Sequence, residues 1–345
     1  MDASLLDNAA LAHLPQTGAS IRRHRCSSRP PSQRSLDRTS EAESRLTGRL
    51  AHTGTVTVMF DGFELDYTDV GEVTVRHRVG GAGSPVVLLH GHPRTHTTWH
   101  AVAPLLAQHH RVVCPDLRGY GSSSAPPDQP RHAQASKRAM ATDVLTLMKR
   151  LGHDRFAVVG HDRGGAVAFR TAMDHPDSVD RLVVMDAMPL IEHLERTDAN
   201  FAKSWWHWWF LGQTDKPAEQ LISRDPDGWY TTPSPDEMGL GNHADVWRAL
   251  RDPAVVHAMA EDYRAGLTID RDHEAADRTA GRQVRCPTML LEAVDDDLDI
   301  HGDPVTIWAP WVAGRIQHVL IPSGHHQAEH APAQVAEAIL AFLAA

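Results

Sequence analysis

The segment Gly160–Gly164, with the sequence GHDRG, restricts the possible folds of this chain more than any other feature. It follows the apolar run Phe156–Val159, which reads as a buried strand, and precedes the helical stretch Gly165–Met173. A strand, a tight turn and a helix, with glycines two positions before and after a central residue, have the form of a nucleophile elbow. Such a turn lifts its central side chain above the sheet, and here that side chain is Asp162.

Strand and helix patterns alternate through most of the rest of the chain. Six more short runs predict strands, namely Thr74–His77, Val86–Leu89, Val112–Pro115, Leu182–Met185, Met289–Glu292 and His318–Ile321. Helical patterns lie between them, among them Ala139–Leu151 and Ala333–Leu343. This alternation predicts an α/β fold, in which a mostly parallel sheet is flanked by helices on both faces.

Composition divides the chain into four parts. Residues 1–55 include a stretch rich in Arg, Ser and Pro, and we expect them to form a disordered N-terminal extension. The α/β core should comprise residues 56–188 and 268–345. Residues 189–267 contain six of the nine tryptophans and interrupt the alternation. We expect a helical lid there, over the carboxyl ends of the strands, where ligands bind in such sheets.

Charge and cysteine content limit the partners and the compartment. The formal net charge of −10 argues against a nucleic-acid partner, and the lack of an 18-residue apolar run argues against a membrane span. The chain has three cysteines, Cys26, Cys114 and Cys286. So small and odd a number argues against a disulfide framework. We therefore expect a cytoplasmic protein with a small-molecule substrate, and we leave a homodimer open.

An aspartate at the elbow determines the chemistry that the sequence predicts. A carboxylate oxygen can displace a leaving group from carbon, which forms an alkyl–enzyme ester. Water activated by a histidine then hydrolyses that ester at the carboxyl carbon of the aspartate. This route suits carbon–halogen bonds and epoxide rings better than amides, so we expect Asp162 to be the nucleophile of such a reaction.

A histidine and a second acid should complete the site. The segment Ser323–His326 directly follows the last predicted strand, so His325 is the candidate base. An acid must orient that histidine and stabilise its charged form. Asp186 and Asp296 both follow predicted strands and both qualify. We favour Asp186 and keep Asp296 as the alternative.

The loop after the strand Val86–Leu89 supplies further candidates. The backbone N–H of His92 in this loop and that of Arg163 after the nucleophile are the expected oxyanion hole. The loop also carries His90 and His96, which hint at a di-metal hydrolase. The Asp-His pair that would complete such a metal loop is missing from the sequence, so we expect neither a metal nor another cofactor.

These motifs together resemble the α/β-hydrolase superfamily, and more closely its fluoroacetate (haloacetate) dehalogenase branch. The resemblance extends from about Phe60 to the C-terminus. It includes HGHPRTHTTW (90–99), PDLRGYGSSS (115–124), GHDRGG (160–165), DHPDSVDRLVVMD (174–186), WWHWWF (205–210) and DYRAG (262–266). PDLRGYG is common in the superfamily, whereas the aspartyl elbow combined with the lid motifs is far more specific.

The resemblance implies a role for each matching residue. Asp162 is expected to be the nucleophile, His325 the base and Asp186 its acid partner. Arg163 is expected to bind the substrate carboxylate. Three ring donors are expected to stabilise the departing halide, namely His207, Trp208 and Tyr263. Fluoride is strongly hydrated and a poor leaving group, so fixed N–H and O–H donors must replace its water in a dry pocket.

Two positions depart from the branch. Ala166 stands where the fluoroacetate enzymes carry a second Arg that binds the carboxylate, and His92 stands where they usually carry Phe. A hydrogen bond to a charged group contributes about 1.5–3 kcal/mol, so haloacetate should bind more weakly here. We also expect the small alanine side chain to leave free space beside Arg163.

We therefore predict a hydrolytic dehalogenase of short 2-haloacids. An epoxide hydrolase with the same Asp, His and acid is the alternative, with Tyr230 and Tyr263 as donors to the epoxide oxygen. Arg163 favours an anionic substrate and hence the first reading. A non-catalytic receptor on the same fold is a third reading, but it would have no need for His325.

Overall fold

The computed structural model describes residues 59–230 and 233–345, so the predicted N-terminal extension, 1–55, lies outside the described residues. Eight strands form a single sheet in this part of the chain. In chain order they are β1 Phe63–Asp69, β2 Thr74–Gly80, β3 Ser84–Leu89, β4 His110–Pro115, β5 Phe156–His161, β6 Val179–Met185, β7 Thr288–Ala293 and β8 Ile316–Ile321.

The order across the sheet is β1-β2-β4-β3-β5-β6-β7-β8. The β1–β2 and β2–β4 pairs are antiparallel, and all the other pairs are parallel. The predicted α/β fold with a mostly parallel sheet is therefore confirmed. All seven predicted strands are present, and β1 is a strand that the sequence did not reveal.

Helices connect the strands and fill the long interval between β6 and β7. In chain order the α-helices are α1 Ala103–Leu106, α2 Lys137–Arg150, α3 Arg163–Asp174, α4 Leu190–Glu195, α5 Ala199–Ser204, α6 Trp206–Leu211, α7 Ala218–Ile222, α8 Pro226–Trp229, α9 Pro235–Met238, α10 Leu240–Leu250, α11 Pro253–Ala265, α12 Arg271–Thr279, α13 Pro304–Trp308, α14 Gln327–His330 and α15 Pro332–Ala344.

The central strands are buried on both faces. In β3 the side chains of Val87 and Leu89 join an apolar cluster with α2 and α3, whereas those of Val86 and Leu88 join a second cluster with α1 and α15. Successive side chains of a strand point to opposite faces, so each layer of helices takes alternate residues. This two-sided burial explains why β3 reads as a continuous apolar run rather than an alternating one.

The interval between β6 and β7 is helical from α4 to α12. The lid that we predicted at residues 189–267 lies within it, and helical structure continues beyond that range to Thr279. Several aromatic residues of this helical interval pack into the same apolar cluster as α3, among them Trp205, Trp208 and Tyr263. Within residues 59–230 and 233–345, we find no helix with the length and apolar content needed to cross a bilayer.

Candidate active site

Asp162 occupies a sharp turn between β5 and α3. Its backbone has φ 53° and ψ −121°, and a non-glycine residue occupies such a region at a cost of about 1–3 kcal/mol. The two ends of the turn approach so closely that a Cβ on Gly160 would lie 2.1 Å from the carbonyl oxygen of Gly164. The strand, turn and helix of the predicted elbow are therefore present, and position 160 has room only for glycine.

The carboxylate of Asp162 is held by backbone N–H groups. His92 N–H donates to Oδ1 at 2.7 Å, and the N–H of Arg163 also hydrogen-bonds the carboxylate. A Cβ on Gly91 would lie 2.3 Å from Oδ1, so this approach requires glycine there. Burial alone would raise the pKa of Asp162, but the charge of His325 and the hydrogen bond from the N–H of Arg163 help to lower it below its ordinary value. Asp162 is therefore ionised at neutral pH, as a nucleophile must be.

His325 follows β8 and lies between two carboxylates. Its Nε2 is 3.9 Å from Oδ2 of Asp162, and its Nδ1 is 2.9 Å from Oδ2 of Asp296. Burial alone would lower the pKa of His325, but the hydrogen bond with Asp296 and the charges of Asp296, Asp162 and Asp186 together raise it to about 9. The structure thus brings the predicted nucleophile and base together, with an acid behind the base.

The acid behind His325 is Asp296, not Asp186, which we favoured from the sequence. Oδ1 of Asp186 accepts the N–H of Ala293 at 2.8 Å, and its Oδ2 accepts Nε2 of Gln327 at 2.6 Å. Burial raises the pKa of Asp186 to about 7. Its backbone, at φ 43°, turns the carboxylate at the end of β6 toward the end of β7. The carboxylate is therefore already hydrogen-bonded, and Asp296 takes its place beside the imidazole.

This difference between the two acids predicts unequal effects of their amide variants. Asp296→Asn should lower kcat about a hundred- to a thousandfold, because an amide neither fixes the same imidazole tautomer nor stabilises the imidazolium. Asp186→Asn should lower kcat less than about tenfold, because its contacts are to Ala293 and Gln327. Halide release by both variants, with the melting temperature as a check on folding, measures this. A larger loss in the Asp186 variant would restore the sequence-based assignment.

A cavity of about 370 Å³, which we call the chamber, opens above Asp162. It is lined mainly by aromatic and imidazole rings, including those of His92, His207, Tyr230 and Tyr263. Burial lowers the pKa of His207 to about 4 and raises that of Tyr263, so both rings are uncharged at neutral pH. The chamber therefore places these neutral hydrogen-bonding rings beside an ionised carboxylate, and Arg94 and His325 line it as well.

A second pocket of about 10 Å³, the side pocket, also touches Asp162. It is lined by Arg163, Ala166 and Trp208, together with residues 186–188 after β6, two residues of α4 and Trp205. The expectation of free space beside Arg163 is therefore wrong, because this volume suffices for about one water molecule. Leu190, His193 and Trp205 occupy the space that a small residue at position 166 would otherwise leave.

The three predicted halide donors lie on different sides of the nucleophile. His207 and Tyr263 line the chamber, whereas Trp208 lines the side pocket. The ring centroid of Tyr263 is 6.0 Å from that of His207 and 6.1 Å from that of Trp208. The structure therefore groups the three rings around Tyr263, although they do not share one cavity wall.

Arg163 is buried and paired with an acid that the sequence reasoning did not single out. Its Nη2 donates to Oδ1 and to the carbonyl oxygen of Asp262, both at 2.9 Å, and its Nε donates to Oδ2 at 3.2 Å. The amino group of Lys137 and the hydroxyl of Tyr120 also contact the Asp262 carboxylate. The one available signal was its place beside Tyr263 in the DYRAG motif.

Three groups of side chains have metal-ligand atoms within 4.8 Å of one another in the described residues. Two of them include His325, with either His161 and His326 or Asp186 and Asp296. A metal bound through Nδ1 of His325 would break the hydrogen bond to Asp296. The third group, Asp128, His257 and Glu261, contributes no residue to the chamber or the side pocket.

Two histidines of the loop after β3, His90 and His96, bond to residues that do not line the chamber. Nε2 of His90 accepts the N–H of Leu117 at 3.0 Å, and Nδ1 of His96 pairs with Asp116 at 2.8 Å. These contacts fix the loop that carries the N–H of His92. Neither His90 nor His96 belongs to any of the three groups of possible metal ligands in the described residues.

Comparison with known proteins assigns the family. A family model described as the alpha/beta hydrolase fold matches residues 84–326, which run from the start of β3 to just past His325. The chain belongs to the α/β hydrolase fold family. The match includes the elbow with Asp162 and both candidate acid partners of His325, Asp186 and Asp296. The α/β hydrolase region thus contains every catalytic candidate considered above.

Similar proteins include a dehalogenase, an epoxide hydrolase and a structure that is named only as an α/β hydrolase. A fluoroacetate dehalogenase from Burkholderia sp is 42% identical over 295 residues, which cover 83% of this chain and 95% of that protein. A soluble epoxide hydrolase from Corynebacterium sp. (strain C12) is 34% identical over 226 residues, 63% of this chain and 74% of that one. A structure from Nostoc sp PCC 7120, named as an α/β hydrolase, matches with a TM-score of 0.79 and 38% identity, covering 83% and 99%. The resemblance to the fluoroacetate dehalogenase branch is therefore confirmed.

Proposed function

We propose that the protein is a hydrolytic dehalogenase that works through an ester on Asp162. The observation that carries the proposal is the unequal environment of its two carboxylate oxygens. Oδ1 accepts the N–H of His92, whereas Oδ2 faces His325 at 3.9 Å from its Nε2. One oxygen is thus held by the backbone while the other remains available for attack on carbon.

In the first step, Oδ2 of Asp162 attacks the carbon that bears the halogen. The new C–O bond forms as the C–X bond breaks, and the halide leaves with the bonding electron pair. Neutral donors from His207 and Tyr263 in the chamber, and from Trp208 in the side pocket, are positioned around the nucleophile to stabilise this charge. The product of this step is an alkyl ester of Asp162 and a free halide.

In the second step, His325 accepts a proton from water, which attacks the carboxyl carbon of the ester. Negative charge develops on Oδ1, where the backbone N–H of His92 already donates at 2.7 Å, and the N–H of Arg163 is a second donor to the same carboxyl group. Loss of such a donor typically costs about 3 kcal/mol of transition-state stabilisation. Collapse of the intermediate breaks the bond between the carboxyl carbon and Oδ2, and His325 returns its proton to the departing oxygen. An alcohol that keeps Oδ2 is released, and the water oxygen remains on Asp162.

The substrate class that we propose from the sequence is a short 2-haloacid. The 42% identity to a fluoroacetate dehalogenase and the position of Arg163 directly after the nucleophile support it. With Ala166 in place of a second arginine, Arg163 is the one member of the branch's arginine pair that this chain retains for the substrate carboxylate. Haloacetates should therefore be substrates with weak binding.

Epoxide hydrolysis is the second candidate, because the same two steps open an epoxide when its ring oxygen replaces the halide. The specific observation in its favour is that two tyrosines, Tyr230 and Tyr263, line the same chamber as Asp162. A tyrosine hydroxyl is the kind of donor that an opening epoxide oxygen needs. The relative from Corynebacterium is named a soluble epoxide hydrolase. Against it, Arg163 directly follows the nucleophile, and its permanently charged guanidinium favours a negatively charged substrate.

Oxygen-18 labelling in a single turnover tests the ester route. With enzyme in excess over chloroacetate in ¹⁸O-water, we expect the label in the peptide that contains Asp162 and an unlabelled glycolate. Label in glycolate and none in the peptide would mean that water attacks the substrate carbon directly. Chloride release from chloroacetate and diol formation from styrene oxide, measured side by side, separate the dehalogenase from the epoxide hydrolase.

A further inference from the structure

Arg94 brings a positive charge to the chamber from the loop after β3. Its backbone N–H donates to the carbonyl oxygen of Gly91 at 2.9 Å, which closes the turn that carries the N–H of His92 to Asp162. The side chain of Arg94 lines the chamber, although the residue is only 2% exposed. Among the described residues of the chamber lining, it is the one arginine or lysine.

A buried carboxylate on α14 fixes the guanidinium of Arg94. Nε donates to Oε1 of Glu329 at 2.9 Å, and Nη2 donates to its Oε2 at 3.2 Å. Oε1 also accepts the hydroxyl of Thr98 at 2.9 Å and Nδ2 of Asn242, on α10, at 3.0 Å. Burial alone would raise the pKa of Glu329, but the charge of Arg94 and these hydrogen bonds lower it below its ordinary value. The guanidinium is therefore held in place before a ligand arrives, so a ligand does not have to order it.

One edge of the Arg94 guanidinium remains free. A guanidinium has five N–H donors, and the hydrogen bonds to Glu329 use Nε and one donor of Nη2. Nη1 makes no hydrogen bond within residues 59–230 and 233–345, and it is not among their fully buried polar atoms that lack a partner. Because Arg94 is otherwise enclosed and lines the chamber, Nη1 is the part of the side chain that faces it. This edge can donate two parallel hydrogen bonds to a second carboxylate.

The other charged side chains of the chamber are engaged or exposed. Asp162 is the proposed nucleophile, and His325 is hydrogen-bonded through Nδ1 to Asp296 at 2.9 Å. Asp297 is exposed, so water and salt screen its charge. Within the described lining, Arg94 is therefore the one cation outside the proposed catalytic groups, and it is the natural partner for an anionic group that takes no part in the chemistry.

The chamber has room for more than a haloacetate. Its volume of about 370 Å³ corresponds to roughly twelve water molecules at about 30 Å³ each. A haloacetate consists of a halogen, two carbons and two oxygens, so it fills only part of this volume when its reacting carbon lies at Asp162. Asp162 and Arg94 both line this one cavity. A substituent on the halogen-bearing carbon can therefore extend through the remaining volume toward Arg94.

We propose that Arg94 binds a second carboxylate of the substrate, so that the preferred substrates are short 2-halo dicarboxylates such as 2-chlorosuccinate. The inference rests on the proposed dehalogenase function and specifies the substrate of that same site. The carboxylate on the halogen-bearing carbon remains the partner of Arg163, and the distal carboxylate accepts the free edge of Arg94. Oδ2 of Asp162 displaces chloride from that carbon. Water then hydrolyses the ester, which gives 2-hydroxysuccinate, chloride and a proton.

A matched pair of substrates tests the distal carboxylate. 2-Chlorosuccinate and its 4-amide have nearly the same shape, but only the diacid carries a charge at the distal end. The ratio of their kcat/KM values for chloride release is divided by the ratio of their rate constants with acetate ion in water, which removes intrinsic reactivity. We expect the diacid to be favoured about ten- to hundredfold, chiefly through KM, because hydrogen bonds between oppositely charged groups are the strong ones. Equal use of the two compounds, or preference for the amide, would overturn the proposal.

Substitution of Arg94 tests whether this residue causes the preference. Arg94→Gln should lower the diacid-to-amide ratio about ten- to hundredfold, whereas Arg94→Lys keeps a cation and should retain part of the preference. Because Arg94→Gln leaves Glu329 buried without its counter-ion, the double variant Arg94→Gln/Glu329→Gln repeats the test with both charges removed. Arg150→Gln, at an exposed position of α2, is the matched control and should keep the wild-type ratio. The ratio compares two substrates on one preparation, so an unfolded fraction cancels.

Glu329→Gln distinguishes substrate binding by Arg94 from a purely structural role of the ion pair. The variant removes the counter-ion and leaves the charge of Arg94 to the distal carboxylate, so the diacid-to-amide ratio should rise about two- to tenfold. If the pair only holds the loop after β3 in place, kcat/KM should fall equally for both substrates. A ratio that stays at the wild-type value would therefore contradict the proposed contact.

The outcomes also separate this inference from the function on which it rests. Oxygen-18 in Asp162 after turnover of chloroacetate, together with no preference for the diacid, would leave the dehalogenase proposal intact and reject the second carboxylate. An unchanged ratio in Arg94→Gln would reject Arg94 as its ligand. Failure of chloroacetate and of both chlorosuccinate compounds to release chloride would instead reject the dehalogenase function, and the substrate assignment with it.

Discussion

Asp162→Asn is expected to lower turnover about ten thousandfold or more, because the amide oxygen is a far weaker nucleophile than the carboxylate it replaces. The effect should appear with every substrate, since the attack on carbon comes first in both the dehalogenase and the epoxide hydrolase reactions. Halide release under substrate saturation measures it. Asp162 lies within a network of backbone hydrogen bonds that an amide oxygen can still accept, so the variant should retain its fold.

Slow deamidation of the introduced asparagine back to aspartate would mimic residual activity. Peptide mass spectrometry of the assayed sample measures the recovered aspartate, and only activity beyond that fraction counts. Asp236→Asn, at an exposed position on the lid helix α9, is the matched control and should retain wild-type turnover. Substantial turnover by an Asp162→Asn enzyme free of deamidated chains would rule out the aspartyl ester.

His325→Asn should stop the reaction after its first step. The nucleophile remains intact and the base is lost, so the ester should accumulate on Asp162 while one equivalent of halide appears. The intact mass of the protein should rise by the mass of the substrate less that of the hydrogen halide. Fragmentation of the modified peptide should locate the increase at Asp162, and the steady-state rate should fall by several orders of magnitude.

His326→Asn is the natural comparison for this trap. The neighbouring histidine also lines the chamber, yet Nδ1 of His325 is the atom that meets Asp296, at 2.9 Å. The His326 variant should hydrolyse its ester, so that no increase in mass persists after turnover. Accumulation of ester in the His326 variant and none in the His325 variant would mean that the two adjacent histidines have exchanged roles.

Most of the fold could be predicted from the sequence because the central strands are buried on both faces. Runs such as Val86–Leu89 and Phe156–Val159 are continuously apolar, which few other structures require. The strand β1, Phe63–Asp69, escaped prediction because it lies at the edge of the sheet and most of its side chains are exposed. Its pairing with β2, rather than a local apolar pattern, accounts for its strand conformation.

The sequence predicted those features of the candidate site that depend only on where a residue lies along the chain. Asp162 and His325 follow the ends of β5 and β8, and parallel strands bring such positions to one edge of the sheet. The sequence could not decide between Asp186 and Asp296, because both follow strands and only the direction of each side chain distinguishes them. The pairing of Arg163 with Asp262 is likewise a contact between distant segments, which spacing does not encode.

In the proposed reaction, the carboxylates around His325 link the protonation of the imidazole to the state of Asp162. Before reaction, the negative charge of Asp162 is one of those that raise the pKa of the imidazole to about 9 and keep it protonated at neutral pH. Conversion of Oδ2 to an ester oxygen abolishes that charge, so the imidazole gives up its proton more readily once the ester exists. In the proposed reaction, formation of the ester on Asp162 therefore favours the neutral form of His325 that activates water in the next step.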